Sequence, residues 1–187
     1  MRSFLVALLL AGSALSAPAE TPAAKKSPSC TSNSSKVREW TVSNFDFHAS
    51  YIFSTPAHQN SWGYVNFTLI NPIFAWKLNC AAASNQLEDF FYGTVPYKCE
   101  TPGNIEDASF SFSRPSGELL INQTWDCPYE GSRFTARGGV KLDLKCRETR
   151  QDNPNWKSPA DGFASTRTIS CDHVTVKAPV TEMSGVA

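Results

Sequence analysis

Apolar and polar side chains alternate with a period of two along much of the chain after residue 40. Trp40 and Val42 keep this period, and Phe45 and Phe47 resume it after a shift of register. A period of two places successive side chains on opposite faces of a β-strand, and a shift of this kind is typical of a β-bulge. The first element is therefore predicted to be a bulged, half-buried strand.

The same alternation recurs farther along the chain, in the segments 62–70, 118–124 and 140–146. In the second segment Gln123 falls on the inward face and Leu120 on the outward face. The third segment is the clearest strand, because its apolar residues alternate with charged ones and so cover a core from one side. The residues predicted to point inward are Val65, Phe67, Leu69, Leu119, Ile121, Val140, Leu142 and Leu144.

Turn signals separate these segments. Asn71-Pro72 and Pro102-Gly103 are typical turn sequences, and Pro115-Ser116-Gly117 is typical of a hairpin. Only the segment 84–91 has the apolar spacing of a helical turn, and the polar stretch 147–162 is predicted to be a surface loop. Many short strands with regular turns predict an all-β fold, either an antiparallel β-barrel or a compact sandwich, stapled by disulfides.

The N-terminal segment has the three parts of a secretory signal peptide: a positive start, a short apolar stretch and a run of small residues. Cleavage is predicted after Ser16, with Ala19 as the competing site. The apolar stretch is well short of the roughly 20 residues that span a bilayer, so a secreted, extracellular protein is expected. The predicted organisation is a signal peptide at 1–16, a flexible lead at 17–36, a single β-barrel domain at 37–177 and a loose tail at 178–187.

The charges of the chain balance, with 17 Lys and Arg against 17 Asp and Glu. A balanced surface gives no electrostatic case for a nucleic acid or an anionic membrane as a partner. The aromatic residues are abundant instead, at 12% of the chain, which suits pleated strands that are buried on one face.

Six cysteines lie beyond the signal peptide: Cys30, Cys80, Cys99, Cys127, Cys146 and Cys171. An even number in an exported chain predicts disulfides, but six cysteines permit 15 connectivities. Two of the intervals, from Cys80 to Cys99 and from Cys127 to Cys146, are equal in length and suggest two local staples. Zinc is the alternative, but C-x-x-C pairs are missing and His48, His58 and His173 are scattered. No metal and no cofactor are predicted.

Catalytic motifs are missing from the sequence, which has neither G-x-S-x-G nor H-E-x-x-H. Glu88-Asp89 and Glu106-Asp107 offer the carboxylates that a glycosidase needs, but adjacent residues on a strand point to opposite faces. His48 with Glu88 or Glu118 and with Arg137 would suit a small ribonuclease, although no spacing selects them. Solvated surface charge is the preferred interpretation of all these residues.

Three sequons, at Asn33, Asn66 and Asn122, are candidate glycosylation sites. The alternation in 62–70 places Asn66 on the solvent side of its strand. Trp156 is the candidate for an exposed ring that stacks on a sugar or an aromatic ligand, because loop-forming residues surround it.

The chain resembles the fungal secreted family typified by the major Alternaria allergen, from Trp40 to Cys146. The motifs that carry the resemblance are Trp76-Lys77-Leu78-Asn79-Cys80, Gln86-Leu87-Glu88-Asp89, Tyr97-Lys98-Cys99, Phe110-Ser111-Phe112, Ser116-Gly117-Glu118-Leu119-Leu120 and Leu144-Lys145-Cys146. The resemblance implies a β-barrel with two internal disulfides.

The family's pairing, carried onto this sequence, implies Cys80–Cys99 and Cys127–Cys146. In the family's best-known member a cysteine near the mature N-terminus links two chains, which makes a homodimer possible through Cys30. Cys171 departs from the pattern. An intermolecular Cys30 bond would leave Cys171 as an odd thiol, so an intramolecular Cys30–Cys171 bond is favoured.

The resemblance also implies a function. It indicates a non-enzymatic, effector-like secreted protein that binds host extracellular proteins or small aromatic ligands, and that elicits or modulates plant defence. The alternative is a small secreted disulfide-bonded hydrolase, either a glycosidase or a ribonuclease. A carboxylate or histidine cluster in one concave pocket would favour the hydrolase, and a filled barrel with scattered acids would favour the binding protein.

Overall fold

The computed structural model describes residues 29–84, 91–103 and 106–187. Within these residues the chain forms ten strands, one short α-helix and one 3-10 turn at Pro159–Asp161. The elements are α1 (Cys30–Ser34), β1 (Glu39–Thr55), β2 (His58–Ile70), β3 (Leu78–Ser84), β4 (Tyr97–Glu100), β5 (Glu106–Ser113), β6 (Glu118–Cys127), β7 (Ser132–Lys141), β8 (Cys146–Asp152), β9 (Ser165–Cys171) and β10 (Val174–Val186). No helix in the described ranges is long and apolar enough to cross a membrane.

Eight of the strands close into an antiparallel barrel. Their order is β10-β7-β6-β5-β4-β3-β2-β1, and β10 pairs back onto β1. β9 and β8 extend the sheet outward from β1 as a hairpin-like flap. The all-β, antiparallel barrel predicted from the alternation is confirmed.

The bulge in β1 lets this strand take three partners. β2 runs along one edge of β1, while the other edge pairs with β10 over residues 39–45 and with β9 over residues 48–53. The register shifts between Val42 and Phe45, where Asn44 has a φ of 56°, a conformation that Asn tolerates better than most residues. The predicted bulge is therefore confirmed, and it separates the barrel part of β1 from the part that carries the flap.

Side chains fill the interior of the barrel. Its largest fully buried members are aromatic: Trp40, Trp125, Phe45, Phe47, Phe110 and Phe112. Phe45 meets Phe112 edge-on at 5.0 Å between ring centroids, and Phe67 meets Phe110 edge-on at 4.9 Å, geometries that aromatic quadrupoles favour. Six of the eight residues predicted to point inward are buried, and the other two, Val140 and Leu144, are partly buried against the core.

One polar side chain, Gln123, lies at the centre of this core. Its Oε1 accepts hydrogen bonds from Trp40 Nε1 at 2.6 Å and from Asn71 Nδ2 at 2.9 Å. Its Nε2 donates to Glu106 Oε1, and Glu106 Oε2 accepts from Trp76 Nε1 at 2.9 Å. Gln123 and Glu106 are buried, so the network satisfies groups that would be costly to bury alone.

The predicted strand at 140–146 is wrong as a single element. β7 ends at Lys141 and β8 begins at Cys146, so the alternation spans a crossing from the barrel to the flap. Leu142 stays buried, and its backbone N–H donates to the Gly117 carbonyl at 2.7 Å. The predicted loop at 147–162 is likewise wrong in its first part, because β8 occupies Cys146–Asp152. All seven side chains of β8 are exposed, so burial imposes no alternation on its sequence.

The predicted tail at 178–187 is a barrel strand instead. β10 continues to Val186 and pairs with both β1 and β7, so the barrel domain extends past the predicted boundary at 177. Ala178 is fully buried, and Val180 and Met183 pack against the core. Val174, Val176, Ala178 and Val180 do alternate with Thr175, Lys177 and Pro179. The alternation ends there, and most of the remaining side chains of β10 are exposed.

The predicted lead at 17–36 contains the helix α1, which is fastened to the turn between β6 and β7. The Glu130 carboxylate accepts hydrogen bonds from the backbone N–H groups of Cys30 and Thr31, each at 3.0 Å. Hydrogen bonds from Thr31, its side chain first, hold the pKa of the Glu130 carboxyl below its ordinary value. The predicted signal peptide at 1–16, the lead before residue 29 and positions 85–90 of the predicted helical turn lie outside the described residues.

All six cysteines form disulfides, as predicted, but only one predicted pair is confirmed. Cys80 and Cys99 are direct partners across β3 and β4 and are bonded. The predicted pairs Cys127–Cys146 and Cys30–Cys171 are wrong: the bonds join Cys30 to Cys127 and Cys146 to Cys171. The reason is the fold, since Cys146 and Cys171 are register partners of β8 and β9, while Cys127 is buried at the end of β6 next to α1.

The disulfides are expected to differ in what they contribute to stability. On the loop-closure model a cross-link over 97 residues contributes about 5 kcal/mol, and one over 19 residues about 3 kcal/mol. The variant C30S/C127S should therefore lose more free energy of unfolding in urea than the matched variant C80S/C99S. Non-reduced peptide mapping of the wild type should first show Cys30 linked to Cys127. A Cys127–Cys146 peptide, or a larger loss in C80S/C99S, would contradict this.

Removing the Gln123 side-chain amide is expected to cost more free energy of unfolding than trimming an apolar side chain on the same inward face. Gln123→Leu keeps the volume but leaves the Trp40 indole N–H without this acceptor and Glu106 without this donor. Such orphaned groups cost about 1–3 kcal/mol each, so we expect a loss of about 3 kcal/mol or more in urea unfolding. The control Ile121→Val, on the same inward face, should cost about 1 kcal/mol. Equal losses in the two variants would show that the network is dispensable.

Candidate functional site

A surface groove crosses the outer face of β5, β6, β7 and β10. It has a volume of about 580 Å³. Leu120, which is 46% exposed, forms its floor. The direct cross-strand partners of Leu120 are Ser111 and Gly139. Because both neighbours are small, the Leu120 side chain stands uncovered between them.

Gly139 cannot readily be replaced by a larger residue. A Cβ at this position would lie 2.4 Å from the Leu119 carbonyl oxygen and 2.9 Å from a methyl group of Leu120. Contacts this close require the backbone to shift. The small residue that keeps the groove open is thus also required by the packing of β7 against β6.

Charged and polar side chains border the groove. Glu118 and Lys141 are register partners at one end. Arg137 lies opposite Asn122 on one side and Glu182 on the other. An apolar floor with donors and acceptors of both signs around it suits a ligand that has an apolar face and polar edges.

A second cluster lies on the outer face of β1, β2 and β9, around Asp46. Asp46 Oδ1 is 2.8 Å from His48 Nδ1 and 3.4 Å from His173 Nε2. His48 Nε2 is 2.9 Å from Ser170 Oγ, and His173 Nδ1 is 2.9 Å from Asn44 Oδ1. The cluster therefore ties the flap strand β9 and the turn that follows it to the bulge in β1.

Ser170, His48 and Asp46 have the residue order of a nucleophilic triad, but the surrounding geometry does not suit one. Ser170 lies on β9, whose backbone is paired on both sides, with His48 of β1 and Arg147 of β8. The ladder thus engages the N–H groups that would have to stabilise an oxyanion. His48 Nδ1 and Asp46 Oδ1 are close but lack hydrogen-bond geometry, which a triad requires.

Tyr64 is held in place by this cluster. Its ring stacks on His48 at 4.9 Å between centroids, with 16° between the planes. Trp62, which is 48% exposed, stacks on Tyr64 at 6.4 Å and 19°. Burial raises the pKa of the Tyr64 hydroxyl above its ordinary value, and the negative charge of Asp46 and a hydrogen bond with it raise it further.

The residues proposed for a ribonuclease are not brought together. Glu118 and Arg137 line the groove. His48 lies elsewhere, with Asp46 and Ser170 on the outer face of β1 and β9. Glu88-Asp89 lies outside the described residues. In the second acidic pair Glu106 is buried in the Gln123 network and Asp107 is exposed, which fits the opposite facing expected on a strand. Over residues 29–84, 91–103 and 106–187, no group of three or more His, Cys, Asp or Glu is placed to hold a metal ion.

The other predicted site residues are all on the surface. Asn33 on α1, Asn66 on β2 and Asn122 on β6 are exposed, so their glycosylation stays a prediction. Trp156 is partly exposed, and its Nε1 donates to the Gly162 carbonyl at 3.2 Å, which closes its own loop.

Sequence reasoning missed the groove. Its signal is present nonetheless: Leu120 is an apolar residue on the outward face of a strand, and its partner strand carries the pair Gly138-Gly139. Recognising it would have required the register that sets Gly139 beside Leu120, which no local pattern supplies.

The electrostatic coupling of Tyr64 to Asp46 is testable by titration. Asp46→Asn removes the negative charge, so the Tyr64 pKa should fall but stay above its ordinary value, because burial remains. Phenolate absorbance measured against pH, with Tyr64→Phe to identify the step, checks this.

The same shift affects stability. A folded pKa above the unfolded value of about 10 means that the contribution of Tyr64 to stability is full below pH 10 and declines as pH rises through the folded pKa. The decline should be smaller in Asp46→Asn, and an unchanged titration would contradict the coupling.

Comparison with known proteins identifies a family. Residues 42–171 match the protein family described as Alternaria alternata allergen 1. No curated protein and no solved structure matches the chain. The family match covers well over half of the sequence and includes every strand from β2 to β9. The protein belongs to the Alternaria alternata allergen 1 family.

Proposed function

We propose that this protein is a secreted, non-enzymatic binding protein that modulates plant defence by engaging host extracellular proteins or small aromatic ligands through its outer surface. Family membership supports an allergen-type protein. Three disulfides with no free cysteine among the described residues are typical of proteins that fold in an oxidising compartment. The predicted signal peptide supports export.

The observation that carries the proposal is the filled barrel beside an open groove. Aromatic side chains occupy the interior, so a ligand has to bind on the outside. The groove around Leu120, at about 580 Å³, is within the range of small-molecule sites. A planar aromatic ligand would rest its face on Leu120 and hydrogen-bond at its edges to Arg137 or Glu118. The same exposed leucine would serve as an apolar anchor for a protein partner.

The hydrolase alternative gains no supporting observation. The acids are dispersed between the core, the groove and the flap, and the backbone beside the His48 cluster is engaged in strand pairing. Binding without catalysis is accordingly the function that the geometry supports best.

The test is a charge placed on the floor of the groove. Leu120→Lys should weaken binding at least tenfold, because it puts an ammonium group where the ligand's apolar face would lie. The matched control is Thr168→Lys, an exposed position on β9. Binding is measured by quenching of tryptophan fluorescence with a flavonol, and by biolayer interferometry against plant apoplastic proteins.

Asn122 lines the groove, so both assays use protein whose glycans have been removed enzymatically. Loss of binding in Leu120→Lys alone would support the groove. Equal binding by both variants and the wild type would reject it, and wild-type turnover of a polysaccharide or RNA would reject the non-enzymatic assignment.

A further inference from the structure

The outer face of β2 presents a row of three residues around one sequon. Trp62, Tyr64 and Asn66 alternate with buried residues and therefore point to the same side. Residues two apart on a strand lie about 7 Å from each other, which is about the width of a sugar ring. Asn66 and Thr68 form the sequon, and Tyr64 is the aromatic residue that precedes Asn66 on the same face.

The ring of Tyr64 packs against His48 on the neighbouring strand β1 and against Trp62 on its own strand. His48 stacks against it from the β1 side at 4.9 Å between ring centroids. On the β3 side the register partners of Tyr64 and Asn66 are Ala83 and Ala81, both of which are exposed. Two methyl groups cannot cover a phenol ring, so the partners that the described residues supply leave a shelf beside Tyr64 and Asn66.

We infer that Asn66 carries an N-linked glycan whose first N-acetylglucosamine lies on the shelf formed by Ala81 and Ala83, against the ring of Tyr64. The sugar would present its C–H face and its acetyl methyl group to the aromatic ring, and so bury apolar surface of both. Because the glycan is attached on the same strand face, its effective concentration at the ring is high. Tyr64 already packs against His48 and Trp62, so little further entropy is lost in packing the sugar.

The other two sequons lack this arrangement. The residue two positions before Asn122 is Leu120, which lies in the groove between Ser111 and Gly139. Asn33 lies on a helix, where a residue two positions away points to another face. An aromatic residue two positions earlier on the same strand face therefore accompanies Asn66 and neither of the other sequons, and this difference supplies an internal control.

The inference rests on the proposed export of the chain but not on ligand binding in the groove. The test therefore uses the full chain secreted from a yeast host, with the host's own leader, so that failure of native export and failure of the inference are distinguishable. Enzymatic deglycosylation followed by peptide mass analysis should show Asn66 occupied. Trimming the glycans to a single N-acetylglucosamine should leave the Tm unchanged, and removing that last sugar should lower the Tm by about 2–4 °C.

A double-mutant cycle separates packing from a general effect of the glycan. Tyr64→Thr keeps a strand-compatible residue, and the effect of the Asn66 glycan on Tm should vanish in that background. Thr68→Ala removes the glycan without touching the ring and should reproduce the Tm loss. Asn122→Gln should change the Tm by the same amount with or without Tyr64. An unoccupied Asn66, or the same glycan effect in wild type and Tyr64→Thr, would overturn the inference.

Discussion

The pairing of β10 with β1 is the constraint on which the rest of the structure depends. β1 and β7 would otherwise both be open edges, with unpaired backbone groups exposed to other chains. β10 satisfies both at once, over residues 39–45 of β1 and along β7. The bulge at Asn44 then frees the remainder of the same edge for β9. Closure leaves an interior that aromatic side chains fill.

The outer face of β5, β6 and β7 differs from that of β1 and β2 because the packing constraints on their strands differ. On the β5–β6–β7 face, Gly139 is required by the close approach of the Leu119 carbonyl, and its lack of a side chain uncovers Leu120. On the β1–β2 face, the polar cluster around Asp46 has to attach the flap to the barrel. Its His48 ring supports Tyr64 as a consequence. One face thus gains an apolar depression and the other an ordered aromatic surface.

The sequence predicts those strands that are buried on one face and solvated on the other. β2, β6 and the bulged β1 satisfy this condition, and even the inward position of Gln123 followed from alternation alone. β8 is exposed on both faces and therefore carries no period. β10 alternates only over residues 174–180, and its role in closure depends on its pairing with β1 and β7, which no local pattern supplies. The predicted disulfide pairs were wrong for a related reason. Cys146 meets Cys171 through strand register, which equal spacing along the chain does not encode.

The disulfide pattern also decides how the chain relates to its family's covalent dimer. The resemblance implies a bond between Cys127 and Cys146 and a free cysteine near the N-terminus for a second chain. Here Cys30 bonds Cys127 and thereby anchors α1, with Glu130 capping the same helix. Cys146 is then available to Cys171, and this bond fastens the flap that brings Ser170 to His48 and His173 to Asp46. With Cys30 used within the chain, a homodimer of this protein would have to form through non-covalent contacts.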